Sequence, residues 1–582
     1  MIPVNEQFIQ HQIERGKRQI DRHSVIFFDV FDTLLARDCA TPSDIFPLVE
    51  ERYNRRHPDT PISDFTVLRK AAERSAALKN TAPSLELIYS ELPLKKAEKT
   101  ELSTIEVEIE LSLSTKRYTG YVLYCYAKER GRRIVAVSDM YLNSQIIYEL
   151  LQASDYAVDE LFVSCEYGEI KSSGKLFQIA LDQARASKDE VVHFGDNPVS
   201  DLLGSLRQGL DCVWLPARKL LSYFIEPCGD RFTEHYLIPY LSNRASLIDK
   251  RPEELGYTIF GPMQFGFCQW LHEKLHKGGF QKALFCARDM KQTMDIYLQI
   301  YPEDRNLVCY FFVSTFILEQ CYRAAKNKVV TEEDQKQLEY IRSYLTQIGC
   351  SGKVAMIDSG IYGRAQRMLT EIIQNRFELH GFYISISKLF RKMVSDPDSY
   401  GFLFPDEPDT RCFFSSGFLE SLIAAQHGKT MGYSENEIGM IVPVFGREKP
   451  KTAELLLVQK GIQRFVDEYL ESAFQDERIP AQAVQEAYLN FSLFPQRKDV
   501  PIFMNIQSGN TVYESIAKSR GLQYYCFHWG TLLHDLKTAL WKGGYLARVF
   551  PHIYKLICWL YVHLNCFYLE HFGIWKDSLD PD

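Results

Sequence analysis

The sequence is short of several things, and each shortage excludes something. Its 14 cysteines are scattered through 582 residues. None forms a CxxC pair or stands at a Cys/His ligand spacing. No secretory leader pattern opens the sequence, so the cysteines are expected to be reduced thiols, mostly packing residues of a cytoplasmic protein. No run reaches the roughly 18 to 20 apolar residues that cross a bilayer. Positive charge is not in excess: 67 Lys and Arg against 75 Asp and Glu leave a net charge of −8. That balance argues against a nucleic-acid surface. Internal repeats and low-complexity tracts are also missing, which excludes a solenoid or a linker-dominated chain.

What is present is an ordinary globular composition, 46% hydrophobic and 24% charged. A chain of 582 residues is too long for one core, and roughly three or four units are expected. A polar, helix-like segment covers residues 1–20. Between 21 and 216, short apolar runs end in polar or turn residues: SVIFFDV, RRIVAVSD, DELFVSC, EVVHFGD and DCVWLP. Each reads as a strand buried on both faces, as in a parallel sheet. Helical stretches such as NSQIIYELLQAS separate several of them, which predicts a doubly wound α/β unit. The long insertion after the first run carries helical text at about 41–125. An insertion of that size predicts a helical cap over the strand ends.

A connector is expected at 217–255. A second α/β pattern covers 256–450, through QKALFCARD, LVCYFFVST, GKVAMIDSG and LHGFYISIS. From 451 to 582 the text is mostly helical. Its end, LARVFPHIYKLICWLYVHLNCFYLEHFGIW, is dense in aromatics. Such a segment either packs on the protein body or makes peripheral contact with a membrane, here at the inner face.

Four signals fall in order at strand ends: Asp29 in FFDVFDT, Ser138 in VAVSDMYL, Lys171 in GEIKSSGKLF, and the acids Asp196 and Asp201 in VHFGDNPVSD. Open α/β sheets bind ligands at the carboxyl ends of their strands, so these groups can converge. Together they resemble the haloacid dehalogenase superfamily over residues 21–216. That resemblance implies a Rossmann-like domain with an inserted cap, acting through an aspartyl-phosphate. It makes Asp29 the nucleophile, Ser138 a hydroxyl donor to the phosphoryl group and Lys171 its positive partner. Lys175 fits the spacing less well. Asp139 is expected to contact substrate. Mg2+ is expected on Asp29, Asp196, Asp201 and the carbonyl of Phe31.

Phe31 is the departure. Phosphatases of this superfamily carry a second aspartate there to protonate the leaving oxygen, a contribution of about 10²–10⁴-fold. Asp32 stands one residue out of step, to act in the site, cap a helix or bond locally. An aromatic at position 31 occurs in the dehalogenase branch, but that branch lacks the acids of GDNPVSD.

Downstream, Arg288, Asp289 and Lys291 follow one apolar run, and Asp358, Gly360 and Gly363 another. Glycines there let backbone amides approach an anion. With FDVFDTLLAR and SDMYL, these phrases resemble large two-domain bacterial proteins associated with cell-surface polysaccharide synthesis. VAMIDSGIYGRAQ is also similar to a phosphoribosyltransferase loop, although Ser359 stands where a second acid is usual. The resemblance implies substrate contacts from Arg288, Asp289, Asp358 and Gly360. Phosphoribosyl pyrophosphate and a phosphorylated glycan would be the ligands. Glu420 and His427 are an alternative acid/base pair, too far apart on a helix for direct contact.

The expected function is a magnesium-dependent phosphatase for a sugar phosphate, such as the 5-phosphate of a phosphoribosyl group, fused to a glycan-directed transferase. Two other classes stay open: an interaction protein with a degenerate hydrolase domain, and a metal-independent dehalogenase.

Overall fold

The structure, a computed structural model, describes residues 2–4, 6–219, 221–224, 229–328, 331–360, 363–386, 399–403, 411, 416–448, 451–504, 507–508, 514–515 and 520–571. The chain divides into two compact units. The first comprises Met1–Leu221, Glu226–Asp249 and Glu471–Gln475; the second comprises Ser222–Ile225, Lys250–Leu470 and Asp476–Asp582.

The first unit is built on five strands: β1 (Val25–Phe28), β2 (Arg133–Ser138), β3 (Glu160–Val163), β4 (Val191–Gly195) and β5 (Asp211–Trp214). They pair in parallel in the order β3-β2-β1-β4-β5. Every residue of β1 and β4 is buried. That is the mark of a sheet covered by helices on both faces. The chain order reverses between β1 and β4, and ligands settle in the crevice at such a reversal. Asp29 directly follows β1, and Asp196 directly follows β4.

Four helices are inserted after β1: Ile45–Arg56, Phe65–Lys79, Leu85–Ser90 and Lys96–Leu113. A short antiparallel ribbon of Leu35–Arg37 and Ser114–Lys116 brackets them. Inside this insertion Arg69 makes a two-pronged bond to Glu106, at 2.9 and 2.8 Å, with both side chains fully buried. The Tyr89 hydroxyl donates to the same carboxylate at 2.7 Å. Arg37 grips Glu110 in the same way, at 2.9 and 3.2 Å.

The second unit has its own parallel sheet of five strands: β6 (Lys282–Cys286), β7 (Val308–Phe311), β8 (Lys353–Asp358), β9 (Glu378–Ser385) and β10 (Tyr400–Leu403). The order is β7-β6-β8-β9-β10. Its reversal lies between β6 and β8, the other common doubly wound arrangement. The four apolar runs read from the sequence are four of these strands. The fifth, YGFL, is only four residues long and carries little signal in the sequence. Gly401 is needed there, since a Cβ would stand 2.8 Å from the Ile386 side chain.

The C-terminal region is helical, as expected, including Ala453–Leu470, Ala481–Leu493 and Tyr554–His571. Trp541 is fully buried among Phe418, Phe491 and Phe503, and its indole N–H donates to the Ser492 carbonyl at 2.8 Å. In the last helix Tyr554, Cys558 and Val562 are buried, while Leu556, Trp559, Leu560 and Leu564 face outward. Among the described residues no helix is long and apolar enough to cross a membrane.

Candidate active site

The site of the first unit starts from the backbone of Asp29. Its amide donates to the Phe194 carbonyl at 2.8 Å, which continues the β1–β4 ladder by one residue and holds Asp29 at the carboxyl end of the central strand. Lys171 Nζ lies 2.5 Å from Asp29 Oδ1 and 2.6 Å from Asp201 Oδ1. All three side chains are buried. Asp201 Oδ1 also meets His193 Nε2 at 3.0 Å, and Oδ2 accepts from the Asn197 amide at 2.9 Å. Two glycines allow this crowding. A Cβ on Gly195 would stand 2.2 Å from the Asp201 carboxyl carbon, and one on Gly204 would stand 2.2 Å from the Lys171 carbonyl oxygen.

Burial pushes the Asp29 carboxyl well up against the pull of Lys171, helped by Asp201 and Asp196. Burial also works against Asp201, but Lys171 and His193 outweigh it and hold that carboxyl down. Burial alone would lower the Lys171 ammonium; Asp201 and Asp29 outweigh it and raise it. Asp196 is pushed up to about 7, by burial and then by Asp32. Oxygen atoms of Asp29, Asp196 and Asp201 all lie within 4.8 Å of one another. The Ser138 hydroxyl is buried with no hydrogen-bond partner among the described residues. That hydroxyl is therefore available to donate to an oxygen acceptor at the strand end.

Asp139 lies beside Ser138 at the end of β2. Its Oδ1 accepts from the Lys171 amide at 2.9 Å, so it holds the lysine loop in place. Lys175 is exposed and pairs with Glu169 at 2.8 Å, away from Asp29. The Phe31 ring lies under the Arg37 guanidinium, 4.0 Å from its centre. Asp32 takes a left-handed backbone, with φ of 58°. Arg117, buried, donates to the carbonyls of Asp32 and Leu215. Neither arginine nor His193 carried a signal in the sequence. Arg37 ends one strand of the ribbon, Arg117 directly follows the other, and His193 lies inside an apolar run.

Residues 23–207 match the family model for haloacid dehalogenase-like hydrolases. This span is a haloacid dehalogenase-like hydrolase domain. No curated relative matches the chain. Among solved structures, the chain resembles a 2-haloacid dehalogenase from Pseudomonas syringae at 15% identity and TM-score 0.24, covering 33% of this chain and 86% of that one. It resembles a protein described as a β-phosphoglucomutase from Thermotoga maritima at 12% identity and TM-score 0.26, covering 35% and 88%. At these values the likeness says nothing of chemistry.

Outside the hydrolase domain, Arg288 and Asp289 follow β6, and Asp358 ends β8, so they flank the reversal of the second sheet. Asp358 Oδ1 accepts from the Ser359 amide at 2.8 Å, and burial raises its carboxyl. Gly360 has φ of 61°, and a Cβ there would strike the Tyr383 ring at 2.1 Å. His427 Nε2 pairs with the Tyr310 hydroxyl at 2.6 Å. Residues 361–362, which carry the tyrosine of DSGIYG, lie outside the described residues.

Proposed function

We propose that the hydrolase domain is a magnesium-dependent phosphatase for a sugar phosphate. The observation that carries this reading is the buried chain Asp29–Lys171–Asp201, linked at 2.5 and 2.6 Å, with Asp196 completing an all-oxygen cluster. Such donors suit a hard divalent cation. The raised carboxyls of Asp29 and Asp196 mark negative charge in need of one. Asp29 and Asp196 would hold it, with Asp201 behind them and the Phe31 carbonyl as a further donor. Bound there, it supplies charge neutralisation at the phosphoryl oxygens.

The residues do the rest. An Asp29 oxygen attacks phosphorus as the ester P–O bond breaks, and the leaving oxygen takes up a proton. Water then attacks the aspartyl-phosphate, releasing inorganic phosphate and restoring Asp29. Lys171 neutralises Asp29 against the incoming anion, and the Ser138 hydroxyl donates to a phosphoryl oxygen. Phe31 has no proton to give. We assign that proton to Asp32, which directly follows Phe31 and whose backbone carbonyl Arg117 holds.

The test is phosphate release from a panel of sugar phosphates. Release is expected only with magnesium, and Asp29→Asn is expected to fall to background. Metal-independent halide release would make the domain a dehalogenase instead. Silence in both assays, with Asp29→Asn unchanged in the cell, would leave a binding module.

A second reading concerns the second unit, and rests on the placement of Arg288, Asp289 and Asp358 around its sheet reversal. We propose that this edge binds phosphoribosyl pyrophosphate and passes its sugar to a glycan. Calorimetry on the folded chain tests it; no heat with phosphoribosyl pyrophosphate removes the proposal.

A further inference from the structure

The helix Gly261–Gly278 contains the sequence HEKLH, which sets His272 and His276 four residues apart on one face. That spacing brings two imidazoles to one point. The point is met by Asp304, from the short helix Pro302–Asn306. His272 Nδ1 lies 3.0 Å from Asp304 Oδ2, and His276 Nε2 lies 3.0 Å from Oδ1. One nitrogen or oxygen from each of the three lies within 4.8 Å of the others.

The surroundings are those of a held ligand set. Tyr297 donates to Asp304 Oδ2 at 2.5 Å, which orients the carboxylate. The Tyr301 ring stacks on His272 with centres 3.7 Å apart and planes at 6°, which orients that imidazole. Fixing of this kind by outer groups is characteristic of metal ligands. Asp304 is 5% exposed, and its only ion partners among the described residues are these two imidazoles. A buried carboxylate without a lysine or arginine in reach leaves room for a cation. The imidazoles open onto a cavity of about 340 Å³, lined also by Glu273, Lys277, Tyr301 and Arg478.

We propose that His272, His276 and Asp304 form a site for a borderline divalent transition metal of the zinc class, separate from the acid cluster of the hydrolase domain. Two imidazoles and one carboxylate select such an ion over magnesium, which takes oxygen donors. Three protein donors leave the fourth position of a tetrahedral ion open. Glu273 could serve a metal-bound water, but its carboxylate is engaged by Lys277 and Arg478, each at 2.5 Å. The assignment is therefore to metal binding, with no hydrolytic step.

The experiment uses the full chain carrying Asp196→Asn, which disables the acid cluster as a competing site. After chelator treatment, the protein is titrated with zinc chloride against a chromogenic chelator. One equivalent is expected to bind. His276→Ala and Asp304→Asn are each expected to weaken zinc by at least about 100-fold, and Tyr297→Phe by about tenfold. Since the His276 side chain is 51% exposed, its variant is expected to fold, and circular dichroism checks this. Cobalt(II) should show the intense visible bands of a tetrahedral site, lost in His276→Ala. A chain that retains no zinc, or a folded His276→Ala that binds it as well as its parent, overturns the proposal.

Discussion

Asp32 holds a backbone conformation that few residues accept. A φ of 58° puts it in the left-handed region, which aspartate tolerates better than most and glycine best. This separates what its backbone does from what its carboxyl does. Asp32→Gly keeps the turn, so stability is expected to stay within about 1 kcal/mol. Turnover is expected to fall about 10²–10⁴-fold if the carboxyl supplies the leaving-group proton. The comparison that isolates chemistry uses a substrate with an acidic leaving group, such as an aryl phosphate, which needs no proton. There Asp32→Gly should match the parent. Equal losses on both substrates would remove Asp32 from the proton role. The same residue marks a limit of sequence reading. Its place one step from Phe31 was plain, but its three candidate roles were not separable. Arg117, which holds its carbonyl, is 85 residues away in sequence.

At the scale of elements, apolar runs were legible because strands buried on both faces admit little else. All five runs of the first unit and four of the second became parallel strands. The acids and the lysine that close the site stand just after such runs or in the loops between them, which is why they could be picked out. The inserted helices were legible as helices, but their interior was not. Arg69 and Glu106 look like surface residues in the sequence, yet both are fully buried against each other. Breaking such a pair leaves a bare buried charge and costs about 3–5 kcal/mol. Arg69→Met is therefore expected to destabilise the insertion strongly, measured by denaturant unfolding or hydrogen exchange. Pairing it with Glu106→Leu should recover most of the loss. An additive double variant would mean the two charges do not depend on each other. The histidine pair of HEKLH is a different case: its third partner, Asp304, stands 28 residues beyond His276 and is brought in only by the fold.

At the scale of the whole molecule, both sheets place acids at the point where strand order reverses, so electrostatic cost is concentrated there. In the hydrolase domain this cost has a definite pH signature. The Asp196 carboxyl is raised to about 7 in the folded chain, by burial and by Asp32, against an ordinary value of 3.8. Between those values the folded state keeps a proton that the unfolded state has released. Stability must then fall as pH rises through that window, by at most about 1.4 kcal/mol per pH unit, and level off above about 7. A bound divalent cation reverses the balance, because it stabilises the ionised form and competes with the proton. Magnesium should therefore raise the melting temperature of the hydrolase domain more at pH 8 than at pH 6. In Asp196→Asn both the pH slope without metal and the magnesium increment should shrink. The measurement is thermal melting of the full chain with and without magnesium at several pH values, following the transition of the first unit. A magnesium increment that is the same at pH 6 and pH 8, or that survives Asp196→Asn unchanged, would place the cation elsewhere than on this acid.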